Sequence, residues 1–284
     1  MYWPAFQFRY SLDIQRLMPH IAAVEACKQA SRTAVLPPQW REEASLADSP
    51  HPVKGNASQS WVKERFMPGS SPLTLEDILT VHRLVAEETK VDHQAGVLRT
   101  DPVQVGRREV GGLHMGAPPE RLPALMNEYV QFINSSPSRS LPPVIHALLA
   151  HFFFVTLHPF GDGNGRTSRL VSTAILYQRG YNVHGGFYAL SDYFYRNDGI
   201  PYHTLLHRCW QQGVPFELTQ FVAFGMEGLV TELRSIDSFI KMKLNRIVFR
   251  EMWPVARRRR GKYFRRRMAL HHSPARKMQG SESS

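Results

Sequence analysis

The sequence predicts an all-α protein with one short β-hairpin. Apolar residues recur at helical spacing through most of the chain, prolines stand where helices begin, and one short stretch has the composition of a hairpin. The 284 residues are enough to bury a substantial core in one large domain or two small ones. No internal repeat points to a solenoid.

The N-terminal third is predicted to contain two helices separated by an irregular segment. The first runs from Leu12 to about Ala34, and the segment after it, Pro37 to Gly69, is rich in Pro, Ser, Gly and Asn. Thr74 with Asp77 three residues later forms a capping-box pattern, so the second helix is expected to continue to about Thr89.

The remaining elements are a hairpin and a series of helices. Val103 to His114 combines valines with RREVGG, which predicts a short hairpin. Proline starts, helical spacing and terminal glycines predict the helices that follow: Pro118 to Asn134, Pro142 through VIHALLAHFFFVTL, RTSRLVSTAILYQRG ending at Gly180, a pair over Ser191 to Gln212, and a long last helix from Pro215 towards Arg250, weakened by Gly225 and Gly228. The predicted organisation is a lead-in over 1–72, a helical core over 73–250 and a basic tail over 251–284.

The net charge of +11 is concentrated at the C-terminus. Residues 257–284 hold ten Lys or Arg and one Glu, so the body before them is nearly neutral. This tail is expected to be solvated and disordered, with an acidic surface or nucleic acid as its alternative role.

The cellular location is expected to be the cytoplasm. Only Cys27 and Cys209 are present, which favours neither a disulfide framework nor a clustered cysteine metal site. No run of about 18 uncharged apolar residues and no secretory leader is evident, so no membrane partner is expected.

The stretch HPFGDGNGR, residues 158–166, lies between two strongly predicted helices and carries the chemistry. Pro159 disfavours helical geometry at His158, and the glycines at 161, 163 and 165 permit a close backbone approach to a ligand. The N–H groups that begin the next helix, aided by its dipole, predict a phosphate site.

Charged groups complete this predicted site. Arg166 and Arg169 are three residues apart on one helix, so both can reach the same anion. Asp162 would be repelled by phosphate unless Mg²⁺ lay between them, and His158 is the group that can accept a proton near neutral pH. These pieces predict phosphoryl or nucleotidyl transfer by positioning and charge neutralisation.

Each residue alone has a simpler explanation, because His is often structural and DGNG is a common turn. A dinucleotide or Walker motif is excluded, since a helix precedes the glycines and no GK[ST] follows. The combination within twelve residues favours a functional site.

HPFGDGNGRTSR resembles the signature of the Fic family, HPFx[D/E]GNGRxxR, in full. AGVLRT, HALLAHFFFVTL and ALSDYFYRNDGIPYHTLL also resemble family segments in the family's order, so the resemblance covers about Leu73 to Arg250. It implies a Fic-type helical core that binds ATP with Mg²⁺ and moves AMP to a Ser, Thr or Tyr hydroxyl of a target protein.

The resemblance also implies the role of each site residue. His158 would be the general base and Asp162 the Mg²⁺ ligand; Phe160 and Gly161 belong to the same nucleotide-binding turn. The α- and β-phosphates would be held by Gly163, Asn164, Gly165 and Arg166, and the γ-phosphate by Arg169. The adenine would lie near Tyr193, Asn197 and Tyr202. Val103 to His114 would be the flap that binds the target as an added strand.

Two departures from the family pattern concern regulation and the C-terminus. Where many members carry an inhibitory glutamate, this chain has VKGN with Lys54, and Ser60 to Glu64 is a weak substitute followed by Arg65. Many members also continue into a winged-helix module, whereas the basic tail is too short for one.

Three hypotheses remain open on this sequence. The first is AMP transfer, favoured by Gly165, because phosphate-transferring relatives have Lys there. The second is transfer of phosphate or of another nucleotide. The third is a non-catalytic regulator associated with nucleic acid through the tail.

Overall fold

The computed structural model describes residues 3, 6–33, 57–89, 94–106, 113–181, 194 and 200–235, with isolated helical positions between 238 and 245. The chain divides into one compact unit up to Asp237 and a second unit from Ser238 onward. The all-α prediction is confirmed for the first unit, in which strands are only two residues long.

Two consecutive helices, α6 and α7, pack on each other at the centre of the first unit. The helices described in full are, in chain order, α1 (Ile14–Thr33), α2 (Ala57–Arg65), α3 (Leu75–Thr89), α4 (Leu122–Asn134), α5 (Ser136–Ser140), α6 (Pro143–Leu157), α7 (Asn164–Gln178), α8 (Ile200–Gln212) and α9 (219–235), with a 3-10 turn over Pro119–Arg121. Helix α6 is buried at every residue from Val144 to Leu157, and these residues are apolar apart from His146, His151 and Thr156. Helices α4 and α7 pack on it, and α2 and α3 pack on α7.

The start of α3 forms the predicted capping box. The Thr74 N–H donates to Asp77 Oδ2 at 2.9 Å, and the Asp77 N–H donates to Thr74 Oγ1 at 3.1 Å. Arg65 adds a bidentate pair to the same carboxylate, with Nε–Oδ1 at 3.0 Å and Nη2–Oδ2 at 2.9 Å. These contacts join the C-terminal end of α2 to the N-terminal end of α3.

The segment predicted to be irregular contains α2. Val62 within this helix and Phe66 directly after it are fully buried, so this segment is part of the core. Glu64 is exposed, and its neighbour Arg65 is occupied by Asp77. The inhibitory role of Glu64 stays a prediction, and Lys54 lies outside the described residues.

The predicted hairpin is confirmed where its strands are described. Strand β2 (Gln104–Val105) pairs antiparallel with β3 (His114–Met115), and residues 107–112 between them lie outside the described ranges. A second pair was not predicted: β1 (Tyr10–Ser11) runs parallel to β4 (Phe216–Glu217).

The last helix begins later than predicted because β4 occupies residues 216–217. Helix α9 starts at 219, where the Thr219 hydroxyl accepts the Asp13 N–H at 2.8 Å. Gly225, expected to weaken this helix, lets it approach α6 closely, since a Cβ there would lie 2.3 Å from a methyl of Leu148. Beyond 235 only isolated helical residues are described, so the predicted end at Arg250 stays untested.

No helix within the described ranges is both long enough and apolar enough to cross a membrane.

Candidate active site

His158 ends α6 in a left-handed backbone conformation. Its φ is 52° and ψ is 61°, and its N–H donates to Phe154 O at 2.9 Å. Non-glycine residues rarely adopt this conformation, and Pro159 further disfavours a helical continuation. The surrounding structure must therefore hold His158 in place.

Arg99 provides that restraint from 59 positions earlier in the chain. Its guanidinium is buried and donates from Nε to His158 O at 2.7 Å, from Nη1 to Asp101 O at 2.6 Å, and from Nη2 to Ala117 O. The Arg99 N–H also donates to Pro159 O at 3.0 Å. One side chain thus connects the base of the hairpin with the turn that carries His158.

Gly116 makes room for this arrangement. A Cβ at that position would lie 2.8 Å from Arg99 Nη2, 2.8 Å from Val103 Cγ1 and 3.3 Å from His158 Cβ. Neither Arg99 nor Gly116 was predicted to be a site residue. No local pattern in the sequence links Arg99 to His158, since the two are 59 positions apart.

Asn164 fixes the turn from within. Its Oδ1 accepts the Phe160 N–H at 2.9 Å and its Nδ2 donates to Phe160 O at 2.7 Å. Both side-chain atoms are therefore used by the protein, and Asn164 is almost completely buried. Any contact of Asn164 with an anion falls to its backbone N–H.

The N-terminus of α7 presents its first amides to the outside of the turn. The first intrahelical bond of α7 runs from the Thr167 N–H to Gly163 O at 2.9 Å. The amides of Asn164, Gly165 and Arg166 precede that bond, and amides at this position are the groups with which helix N-termini can bind phosphate. Gly163 supports this start with a φ of 75°, which favours glycine.

Asp162 and the two arginines border these amides. Asp162 is exposed, with Oδ1 accepting the Gly163 N–H at 2.6 Å and Oδ2 lying 3.5 Å from Arg166 Nη2. Arg169 is partly exposed one turn further along α7. One accessible carboxylate beside a helix N-terminus fits the way proteins hold Mg²⁺ with a nucleotide, through few carboxylates and the phosphates themselves. No cluster of three His, Cys, Asp or Glu is found among the described residues.

His158 is neutral at physiological pH. The pKa of His158 is lowered to about 4, mainly by burial and to a smaller extent by nearby His114 and Arg99, while a hydrogen bond to Val155 O and the charge of Asp162 act in the opposite direction. Nδ1 lies 3.4 Å from Val155 O, which favours the proton on Nδ1. Nε2 is then the nitrogen that can accept a proton from a substrate.

The proposed adenine residues are not brought together in the described part of the chain. Tyr202 is buried, with its hydroxyl 2.7 Å from His151 Nε2 and its ring stacked on Phe194 at 4.6 Å. Tyr193 and Asn197 lie outside the described residues, so the adenine contacts stay a prediction.

A pocket of about 310 Å³ lies beside the turn, between α3 and the first half of the hairpin. Gly161 borders it from the turn, and Thr100, Asp101 and Val103 border it from the hairpin. The motif residue Gly161 therefore faces open space that a ligand could occupy.

We expect the protein to lose stability in mild acid, because burial lowers the pKa of four histidines. The pKa values are about 4 for His114, His146 and His158, and about 3 for His151. An unfolded histidine titrates near 6.5, so the unfolded chain binds more protons below that pH. The free energy of unfolding should therefore fall between about pH 6.5 and 4, by up to roughly 1.4 kcal/mol per pH unit for each histidine.

Urea unfolding at pH 7.5, 6.0 and 5.0 checks this expectation. Replacing His146, which is remote from the turn, with Gln should make the dependence on pH shallower. A free energy of unfolding that stays constant from pH 7.5 to 5.0 would contradict it.

Comparison with known proteins identifies the part of the chain that holds this site. Residues 72–176 match the model of the Fic/DOC family. Curated relatives named "Protein adenylyltransferase Fic" include one from Drosophila mojavensis, 43% identical over 110 residues, and one from Aedes aegypti, 32% identical over 158 residues. These alignments cover 38% and 54% of the chain but only 20% and 29% of the two relatives.

Solved structures share the fold over a longer stretch. A Fic family protein from Desulfovibrio desulfuricans G20 aligns with a TM-score of 0.62 and 19% identity, over 82% of this chain and 77% of the other. A Fic domain containing signaling protein from Bacteroides thetaiotaomicron aligns with a TM-score of 0.58 and 19% identity, over 78% of this chain and 98% of the other. At this identity the likeness supports the fold.

Proposed function

We propose that this protein, whose residues 72–176 match the model of the Fic/DOC family, transfers AMP from ATP to a Ser, Thr or Tyr hydroxyl of a target protein. The observation that carries the proposal is the placement of a neutral His158 at the same turn as the exposed Asp162 carboxylate and the first amides of α7. A base, a metal-binding carboxylate and a phosphate cradle are the parts that nucleotidyl transfer needs.

The chemistry assigned to the chain's own groups begins with His158. Its Nε2 takes the proton of the target hydroxyl as that oxygen forms a bond to the α-phosphorus of ATP. The bond between the α-phosphorus and the oxygen bridging to the β-phosphate breaks, and pyrophosphate leaves. The target carries AMP as a phosphodiester at the end of the step.

The phosphates are held by the N-terminus of α7. The amides of Gly163, Asn164 and Gly165 and the Arg166 guanidinium bind the α- and β-phosphates, and Arg169 binds the γ-phosphate. Asp162 is proposed to hold Mg²⁺, which would neutralise the charge on the phosphates when bound. Phe160 and Gly161 shape the turn, Phe160 by its buried ring and Gly161 beside the open pocket.

Transfer of AMP is favoured over transfer of the terminal phosphate by Gly165. The phosphate-transferring relatives have a lysine at this place in the motif, and here the position carries no side chain. The phosphotransferase reading is therefore the second candidate and becomes an outcome of the test.

The target is proposed to add as a strand along the flap, Val103 to His114. Edge strands bind extended segments through main-chain hydrogen bonds. The hydrogen bonds from Arg99 to Asp101 O, Ala117 O and His158 O support this role, because they fix the start and end of the flap relative to His158. The basic tail and the cytoplasmic location stay predictions from sequence.

ATP labelled at the α- or the γ-phosphate separates the candidates. We expect label from the α position, and none from the γ position, to be retained on protein incubated with Mg²⁺ and a cell lysate, and His158→Ala protein to retain neither. Label retained only from γ would identify a phosphotransferase. Retention of neither label by the wild-type chain would favour the non-catalytic hypothesis, and mass spectrometry of labelled proteins would name the target and the modified residue.

A further inference from the structure

His82, in the middle of α3, lies beneath the motif turn although it is 80 positions away from Asp162 in the chain. The side chain is 4% exposed, and both ring nitrogens have backbone partners. Nδ1 accepts the Gly96 N–H at 2.9 Å. Nε2 therefore carries the proton and donates it to Asp162 O at 3.0 Å.

The ring face also contacts the turn. It is stacked on Phe160, with ring centroids 3.6 Å apart and an interplanar angle of 4°. Gly163 also lies close to the ring, since a Cβ at this position would be 3.3 Å from His82 Nε2. One imidazole thus contacts the Phe160 ring, the carbonyl group of Asp162 and the backbone of Gly163.

The bond to Asp162 O has a consequence for the neighbouring N–H. The peptide joining Asp162 to Gly163 is planar, and in a trans peptide the C=O and N–H groups point in opposite directions. Holding Asp162 O towards His82 therefore turns the Gly163 N–H towards the outside of the turn. There it donates to Asp162 Oδ1 at 2.6 Å.

The carboxylate of Asp162 is oriented through this peptide. If the peptide rotated, the Gly163 N–H would leave Oδ1, and the exposed carboxylate would lose its strongest described restraint, since the Arg166 contact is longer at 3.5 Å. We propose that His82 is a positioning residue of the transfer reaction, which aims the Asp162 carboxylate by fixing the peptide between Asp162 and Gly163. The inference rests on the proposed function for its catalytic consequence.

Two substitutions separate the two bonds of His82. In His82→Gln the side-chain amide reaches the position of Nε2 and can donate to Asp162 O. In His82→Asn the amide reaches only the position of Nδ1 and can accept the Gly96 N–H. Both variants lose the stacking on Phe160, so their comparison isolates the bond to Asp162.

The readouts are the affinity for a fluorescent mant-ATP with Mg²⁺ and with EDTA, the melting temperature, and kcat and KM for AMP transfer. Groups that orient a metal ligand typically change metal affinity or activity by about 10- to 100-fold. We expect His82→Asn to weaken the Mg²⁺-dependent part of mant-ATP binding by about tenfold or more and to lower kcat similarly. His82→Gln should stay within about threefold of the wild-type chain in both.

His146→Asn is the control for a general loss of stability. His146 is also buried and its Nε2 lies 2.8 Å from a backbone oxygen, that of Ile133, but it is located at the opposite end of α6 from the turn. It should lower the melting temperature without changing the ratio of mant-ATP affinities with Mg²⁺ and with EDTA.

Equal effects of His82→Asn and His82→Gln on that ratio, or the same change in His146→Asn, would overturn the positioning role. The ratio also distinguishes the two proposals. If wild-type protein transfers no AMP yet His82→Asn alone loses Mg²⁺-dependent binding, the proposed function is wrong and the positioning role stands.

Discussion

His158→Ala should lower the rate of AMP transfer by at least roughly 10²-fold while mant-ATP still binds, because the variant loses only the proton acceptor. Burial keeps that acceptor neutral, with a pKa of about 4, so the wild-type rate should not depend on deprotonating His158 above about pH 5. Single-turnover transfer of α-labelled AMP, measured beside the binding isotherm, separates the chemical step from nucleotide affinity.

The left-handed backbone at His158 calls for a second variant. Alanine is strained at a φ of 52°, whereas asparagine tolerates this conformation and has no basic nitrogen at neutral pH. His158→Asn should therefore be as inactive as His158→Ala and melt at a higher temperature. More than about a tenth of the wild-type rate in either variant would refute the assignment of His158 as general base.

Asp162→Ala is expected to abolish the Mg²⁺ dependence of nucleotide binding, with a large loss of transfer. The structure shows that this carboxylate also accepts the Gly163 N–H, so the alanine variant removes a contact within the turn as well. Asp162→Asn keeps an oxygen for that N–H and removes the charge. Because neutral amides are weak ligands for Mg²⁺ compared with carboxylates, both variants should lose the dependence.

Titration of mant-ATP at a series of Mg²⁺ concentrations measures this. Identical affinities for wild-type and Asp162→Asn protein at every Mg²⁺ concentration would remove Asp162 from the metal site. Loss of Mg²⁺ dependence in the alanine variant alone would indicate that the contact with Gly163, and not the charge, is what the nucleotide requires.

Local signals in the sequence were sufficient for most of the fold. The capping box of Thr74 and Asp77, the proline before α6 and the glycines of the motif all act within four or five residues, and the structure forms each feature where it was predicted. The motif likewise predicted that His158, Asp162 and the first amides of α7 lie in one turn, because they are close together in the sequence.

Contacts across long sequence separations were missed. Arg99 reaches His158 over 59 positions and His82 reaches Asp162 over 80, and no periodicity or spacing links either pair. Strands β1 and β4 are two residues each and pair across more than 200 positions, too short for an alternating pattern. Helix α2 was obscured by the Pro- and Ser-rich residues before it.

The four bonds of Arg99 determine which parts of this protein can be exchanged with those of a relative. The guanidinium satisfies the carbonyls of Asp101 and Ala117 on the hairpin side and of His158 on the motif side, and Gly116 leaves the space it occupies. A chimera that imported residues 101–117 without Arg99 and its glycine would bury carbonyls that have no donor. An exchange of the hairpin should therefore include both of its ends together with Arg99.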